Sequence, residues 1–461
     1  MSDKKRRLKQ YKYFLTGDIV LQSQTIIGSG DEVKTDSDIL RDAVGNPFIP
    51  ATSFVGVLKN QLEKYSELNG KLDNVFGFSK GDDGLQSRVN CSDLVLTNSA
   101  DIFIRDGIRI DNETGLVEDA AKFDFETIDK GASFKMKLEL NSDDKEVSDK
   151  LMKTIQEALL NQEISIGGKT NLGYGKIKLI NSELYYYDFN KKEDVNAWLS
   201  YTKPVEKSIN PETYEKSNTD AQLLFTFSIK DNLIIRQYNA DPDSSDASQI
   251  KSSEGFIIPG NSIKGAVRAR AERICKTVNE SFINNKSFDL LFGKKLDNDA
   301  VSKKDEKTIP SRIRVNEIYL REPQVEKQTR NRIDRFTGST MNGALFDSEP
   351  VFTLPDHSLE YNLEINIKNA TKAEVGLLLL VIKDLWTSDL AIGGEKNVGR
   401  GTLVGKSLKI VCQDKKIFID DKQVTDEDKT FINDFISQFN NTEIPENIQK
   451  LKKLYLSKEE V

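Results

Sequence analysis

The residues best placed to do chemistry in this chain are loop acids and glycine-rich turns, and each comes twice. Asp36 stands in Thr35-Asp36-Ser37-Asp38-Ile39-Leu40-Arg41-Asp42, and Asp246 in Ser245-Asp246-Ala247-Ser248-Gln249-Ile250-Lys251. Each lies shortly ahead of a Pro-x-x-Ser-x-x-Gly run, Pro50 to Gly56 and Pro259 to Gly265. A loop carboxylate can serve as a general base or a metal ligand. Its ordinary role is a solvated charge, and the acids Asp241 and Asp243 near Asp246 leave that assignment ambiguous.

Far downstream of each Pro-x-x-Ser run comes a glycine turn. The first is Ile166-Gly167-Gly168-Lys169-Thr170-Asn171-Leu172-Gly173-Tyr174-Gly175, and the second Ile392-Gly393-Gly394-Glu395-Lys396-Asn397-Val398-Gly399-Arg400-Gly401. Glycines let backbone N–H groups approach an anion closely. A nucleotide-binding P-loop is excluded: Tyr174 and Arg400 stand where its lysine belongs, and both turns follow a helical stretch and precede a strand. Two readings remain, a structural turn and a cradle for backbone phosphates, the second favoured by Lys169, Lys396 and Arg400. Ser53 and Ser262 are expected to cap helices whose N-termini can receive an anion, with Lys59, Lys264 and Arg268 adding charge. Val55 stands where the second copy has Lys264.

Other chemistries are poorly supplied. The single His357, beside Asp356, cannot build a triad, a histidine metal site or a histidine acid–base pair. Cys91, Cys275 and Cys412 form neither a disulfide framework nor a CxxC site. A net charge of −7 argues mildly against a generic nucleic-acid binder, although basic residues cluster at Lys4–Lys9 and Lys303–Arg335. Apolar runs are too short to span a bilayer and no signal region follows the N-terminus, so a soluble, cytoplasmic protein is expected.

The elements that must hold these residues follow one order twice. Tyr13–Val20 reads as a strand, and Phe54, Val57, Leu58 and Leu62 mark a helix. Val89–Leu96 reads as a strand, Ser148–Asn161 as a helix and Ile177–Tyr187 as a closing strand. In the second half, strand Leu223–Ile229, loop Asp231–Glu254, helix Asn261–Val278, strand Arg312–Leu320, helix Lys372–Asp389 and strand Gly401–Val411 repeat it. The expected class is α+β, two ferredoxin-like split βαβ domains in tandem. Residues 1–204 are the first domain, 205–220 a linker and 221–461 the second domain with a helical tail. Between helix and closing motif each half carries a further hairpin signature, Ile110-Asp111…Thr114-Gly115…Phe123-Asp124 and Ile333-Asp334…Thr337-Gly338…Leu345-Phe346. An insertion at the same place in both copies is expected to carry function. Tyr185–Tyr187 reads as strand, with base stacking a minor alternative.

Together the Ile49-Pro50-Ala51-Thr52-Ser53 and Ile258-Pro259-Gly260-Asn261-Ser262-Ile263-Lys264-Gly265 runs, the glycine turns and the hairpin signatures resemble the RAMP superfamily of CRISPR effector proteins. The likeness is to the type III backbone subunit that polymerises along crRNA, here as a tandem fusion. The resemblance implies two RRM-like palms that hold crRNA, each with an inserted thumb hairpin that kinks the guide–target duplex. It further implies that Asp36, and less directly Asp246, cut target RNA beside each kink. The chemistry would be Mg²⁺ or other divalent-cation-dependent attack of the 2′-hydroxyl. Implied partners are crRNA, target RNA and other effector subunits, with no membrane and no free-standing homo-oligomer. Two alternatives stay open: a scaffold that binds RNA without cutting, and a crRNA-processing endonuclease, against which the missing histidine counts.

Overall fold

The computed structural model describes residues 10–30, 32–68, 70–81, 83–111, 117–118, 122–204, 209, 211–215, 219–238, 245–294, 309–353, 359–412, 415–420, 424–441 and 449. They form two compact units that divide near residue 217.

In the first unit, strand β1 (Tyr11–Leu21) leads to helix α1 (Ala51–Leu62), then β2 (Leu94–Leu96). The hairpin strands β3 (Ile102–Gly107) and β4 (Phe123–Ile128) follow. Strand β5 (Ser133–Ser142), helix α2 (Lys145–Leu160) and strand β6 (Ile177–Asp188) complete the unit's core. The sheet order is β6-β1-β5-β2, all antiparallel. That is the 4-1-3-2 order of a split βαβ unit. Alternation along β1 turns Tyr13, Leu15, Ile19 and Leu21 inward, where they meet Phe54, Leu58 and Leu62 of α1 and Leu151, Ile155 and Leu159 of α2. Val89–Cys91 pairs separately with β5, so the expected strand Val89–Leu96 is two short pieces. A short helix Lys192–Leu199 places Trp198 against Phe14 and Tyr187, with centroids 6.0 and 5.2 Å apart, and Tyr185 stacks on Phe14 at 5.2 Å.

The second unit repeats the plan. Its strands are β7 (Ala221–Ile229), β8 (Arg236–Tyr238) and β9 (Ala247–Gln249), followed by helix α3 (Gly260–Val278). Strand β10 (Ile313–Val315), β11 (Gln328–Arg330), β12 (Phe346–Glu349) and β13 (Tyr361–Ile367) come next. Helix α4 (Lys372–Trp386), strand β14 (Leu403–Cys412), strand β15 (Lys415–Asp420) and helix α5 (Asp426–Asn440) close the described chain. The sheet runs β10-β13-β7-β14-β15, again 4-1-3-2 with one strand added. Helix α4 starts in a capping box between Thr371 and Glu374, a device contributing about 1 kcal/mol. The first and last strands of both units share a register shift at the same place, Thr16/Asp18 in β1 and Thr226/Phe227 in β7.

Several expectations need correction. Asp231–Glu254 is not a plain loop: β8 and β9 form within it, and β9 pairs in parallel with the hairpin strand β12. The region expected as linker belongs partly to the first core, where Ile209 and Tyr214 are buried and the Tyr214 amide donates to Thr154 Oγ1 at 3.1 Å. Residues beyond Cys412 contribute a strand as well as a helix, and Phe435 and Phe439 of α5 are buried in the second core. His357, Asp241, Asp243, Thr114 and Gly115 lie outside the described residues.

Candidate nucleic-acid interface

Each acidic loop is fastened to the return strand of its hairpin. In the first unit the Asp36 amide donates to Asp124 Oδ1 at 2.9 Å, and the Asp124 amide donates to Asp36 Oδ2 at 2.9 Å. The Glu126 amide donates to the Ser37 carbonyl at 3.0 Å. Arg41 grips Glu126 with both terminal nitrogens, at 2.7 and 2.9 Å, and the Ile39 amide donates to the same carboxylate. That pairing holds the Glu126 carboxyl below its usual range, Arg41 being the main cause. Inside the loop, Asp38 accepts the amides of Val33, Lys34 and Thr35 and the Thr35 hydroxyl, which bring its pKa down to about 2, the Lys34 amide contributing most. Asp36 itself faces solvent.

The second unit repeats the attachment, and there β9 also pairs in parallel with β12, Ala247 beside Ser348 and Ser248 beside Glu349. The Asp347 amide donates to Asp246 Oδ2 at 2.8 Å, and Asp246 is exposed. The Asp347 carboxylate pairs with Lys327 at 2.7 Å. Ser245 donates to Glu349 at 2.7 Å where the first unit has its arginine clamp.

The described parts of both hairpins carry exposed apolar side chains: Ile104, Ile108, Ile110 and Val117 in the first, and Ile333, Leu345, Phe346 and the fully exposed Phe336 in the second. Asp334 turns the second tip by accepting the amides of Phe336 (2.7 Å) and Thr337 (2.9 Å), with Gly338 at φ 68°. Exposed apolar groups gathered at a projecting tip mark a contact surface.

The glycine turns are wired inward. Gly168 and Gly175 donate their amides to the Ile26 and Gln24 carbonyls, both at 2.8 Å. Gly394 and Gly401 donate to Ile234 (2.7 Å) and Asn232 (2.8 Å) in the same pattern. A Cβ on Gly167 would lie 2.1 Å from the Ile26 carbonyl oxygen, and one on Gly393 2.4 Å from that of Ile234. Gly173 and Gly399 take positive φ of 92° and 89°. These glycines therefore serve close backbone approach, and the four bonded amides are already satisfied within the fold.

Other expected phosphate contacts are also turned to structural use. Lys264 is buried and donates to Ser311 Oγ (2.7 Å) and the Ile313 carbonyl (2.9 Å). Burial, with the nearby Arg268 charge, lowers its pKa to about 7. Arg400 is 1% exposed and pairs with Glu395 at 2.9 Å, while also donating to Ser348 and Gln328. Neither side chain presents its charge to solvent, because each long stem runs into the core. Arg268 donates to the Phe292 and Gly293 carbonyls at the end of the helix Ser287–Phe292, and Lys59 reaches Asp73 and the Gly77 carbonyl at the end of Leu72–Phe76. Pro50 and Pro259 are the N-caps of α1 and α3, so Ser53 and Ser262 lie inside the first helical turn and do not cap it. Lys169 sits 4.6 Å from the ring centres of both Phe123 and Phe125, and Lys396 is exposed.

The sequence reading missed the anchoring pair Arg41–Glu126 and the grouping of Arg236, Arg330 and Arg400 on Glu395. It also passed over a readable repeat, Asp73-Asn74-Val75-Phe76-Gly77 against Asp289-Leu290-Leu291-Phe292-Gly293, whose glycines end the two short helices.

Among the described residues no helix is long and apolar enough to cross a membrane, and no three His, Cys, Asp or Glu side chains gather as a metal cluster. No curated protein matches the chain. A solved structure described as the type III-B Cmr-beta bound to cognate target RNA is similar over 38% of this chain and 60% of that one, with 16% identity and a TM-score of 0.30. A likeness that low carries no argument. The family model described as the RAMP superfamily matches residues 18–178 and again 241–404, more than half of the sequence and once in each unit. With the same fold, acidic loop, hairpin and glycine turn in both, the chain belongs to the RAMP superfamily and carries its domain in tandem.

Proposed function

We propose that the chain is a crRNA-binding backbone subunit of a type III CRISPR effector complex, and that it cuts guide-paired target RNA at two places, one per unit. The observation that carries this reading is the repeated setting of one exposed aspartate, Asp36 or Asp246, against the return strand of an apolar-tipped hairpin. An apolar tip can wedge between stacked bases, and an unstacked nucleotide lets its 2′-hydroxyl line up with the adjacent phosphate. Cutting then requires RNA, since DNA lacks that hydroxyl. Asp36 and Asp246 would accept the hydroxyl proton or hold a cation. A divalent ion such as Mg²⁺, which is held by one or two carboxylates with waters and substrate phosphate oxygens, would have Asp36 or Asp246 as its protein ligand. Bound there, the ion would neutralise charge building on the phosphate. The exposed Lys396, the helix N-termini near Ser53 and Ser262, and Lys169 remain the proposed contacts to guide backbone.

The test is an assembled complex given complementary RNA and Mg²⁺. Asp36→Ala and Asp246→Ala should each abolish a distinct set of products while guide binding persists. If both variants leave every product unchanged, the chain is a scaffold and cutting lies elsewhere.

A further inference from the structure

We infer that Asp124 and Asp347 are positioning residues: each hairpin return strand sets the place of the loop aspartate through its own aspartate. This inference rests on the cleavage reading above. The shared element is a backbone amide on the hairpin, that of Asp124 or Asp347, donating to the loop carboxylate at 2.9 or 2.8 Å. That bond fixes one carboxylate oxygen relative to the hairpin, whose tip is the part that would touch the duplex. The first unit adds a return bond from the Asp36 amide to the Asp124 carboxylate, so the two aspartates hold each other at both ends. The Arg41–Glu126 fork clamps the loop a few residues further on. In the second unit the Asp347 carboxylate pairs with Lys327, Ser245 donates to Glu349, and β9 runs paired with β12.

The consequence is a coupling of position. A hairpin that moves on binding a duplex carries its aspartate with it. A carboxylate displaced by about 1 Å loses on the order of 10²-fold in rate.

Asp124→Ala removes the acceptor for the Asp36 amide, while Asp124→Asn keeps a side-chain carbonyl that can accept it. In the assembled complex, with products assigned by their loss in Asp36→Ala and Asp246→Ala, Asp124→Ala should slow first-unit products by about 10- to 100-fold. Asp124→Asn should restore most of that rate, with second-unit products and guide binding unchanged in both. An unaltered rate in Asp124→Ala, or an equal loss in Asp124→Asn, overturns the positioning role. Hydrogen exchange over residues 32–41 of the full chain supplies an arm that does not need cleavage. Asp124→Ala should speed exchange there and Asp124→Asn should not. If Asp36→Ala leaves all products intact while this exchange pattern holds, the cleavage reading fails and the loop latch stands; unchanged exchange in Asp124→Ala overturns the latch itself.

Discussion

Lys169 and Glu395 occupy the same place in their glycine turns, both with left-handed backbone at φ 53° and 55°, and carry opposite charges. Lys169 lies over Phe123 and Phe125. Glu395 draws in Arg236 (2.9 Å), Arg330 (2.8 Å) and Arg400 (2.9 Å). The duplicated fold thus keeps its backbone and exchanges the side chains at the hairpin base, an aromatic and lysine contact in one unit for an ion cluster in the other.

The cluster should be structural first. Glu395→Gln leaves the buried Arg400 without its counter-ion, and removing one member of a buried pair costs about 3–5 kcal/mol. Lys169→Ala forfeits the cation–π contact with Phe123 and Phe125, worth about 0.5–1 kcal/mol at an exposed site. Urea unfolding of the full chain checks the contrast. Comparable shifts from the two variants would remove the distinction drawn between the turns.

The glycines that end each turn are the next point of failure. Gly175 and Gly401 have φ of 79° and 80°, and an added Cβ would stand 1.9 Å from the Ile166 or Ile392 carbonyl oxygen. Gly175→Ala and Gly401→Ala should each destabilise by about 3 kcal/mol or more, since neither the backbone angle nor the neighbouring carbonyl can accommodate a methyl. Thermal unfolding of the two variants is the measurement, and near-native melting would show that these turns relax freely.

What the sequence disclosed and what it hid divide along physical lines. Helix α2 was legible because Leu151, Ile155 and Leu159 recur at helical spacing, and α4 because of its apolar centre from Val375 to Leu385, most of which is buried. The equivalence of Asp36 with Asp246 was legible from their offset to Pro50 and Pro259, and the matching bonds to Asp124 and Asp347 agree with it. The fate of Lys264 and Arg400 was not legible, since a long basic side chain reads alike whether its head meets water or a buried carbonyl. Strands β8 and β9 escaped because each is three residues long, and the hairpin strand that β9 joins lies far away in sequence, as in the pairing of Ala247 with Ser348.

Lys264 should leave a signature in stability against pH. Its folded pKa is about 7, below the ordinary 10.5, because burial disfavours the charged amine, with Arg268 adding to the effect. Between those values the unfolded chain binds the proton and the folded one does not, so stability rises with pH. The slope reaches about 1.4 kcal/mol per pH unit and vanishes below about pH 7, where both states are protonated. Lys264→Met should remove this rise, so that the wild-type minus variant urea midpoint climbs between about pH 7 and 10. A constant difference across that range would mean that Lys264 stays charged in the fold.

Gly56 and Gly265 separate folding from binding most cleanly. Both lie on exposed helix faces of the Pro-x-x-Ser-x-x-Gly runs, and a Cβ at either would meet nothing within 4 Å. Glycine inside a helix costs about 0.5–1 kcal/mol against alanine, so folding alone gives no reason for its presence in both copies. A ligand backbone that approaches the helix closely would give one. Gly56→Ala and Gly265→Ala should therefore raise stability by about that amount and weaken guide RNA binding. Filter binding across a salt series, beside urea unfolding, measures both effects. Raised stability with unchanged affinity would take the guide away from these helix faces, leaving the hairpins and the exposed turn lysine as the surfaces that hold it.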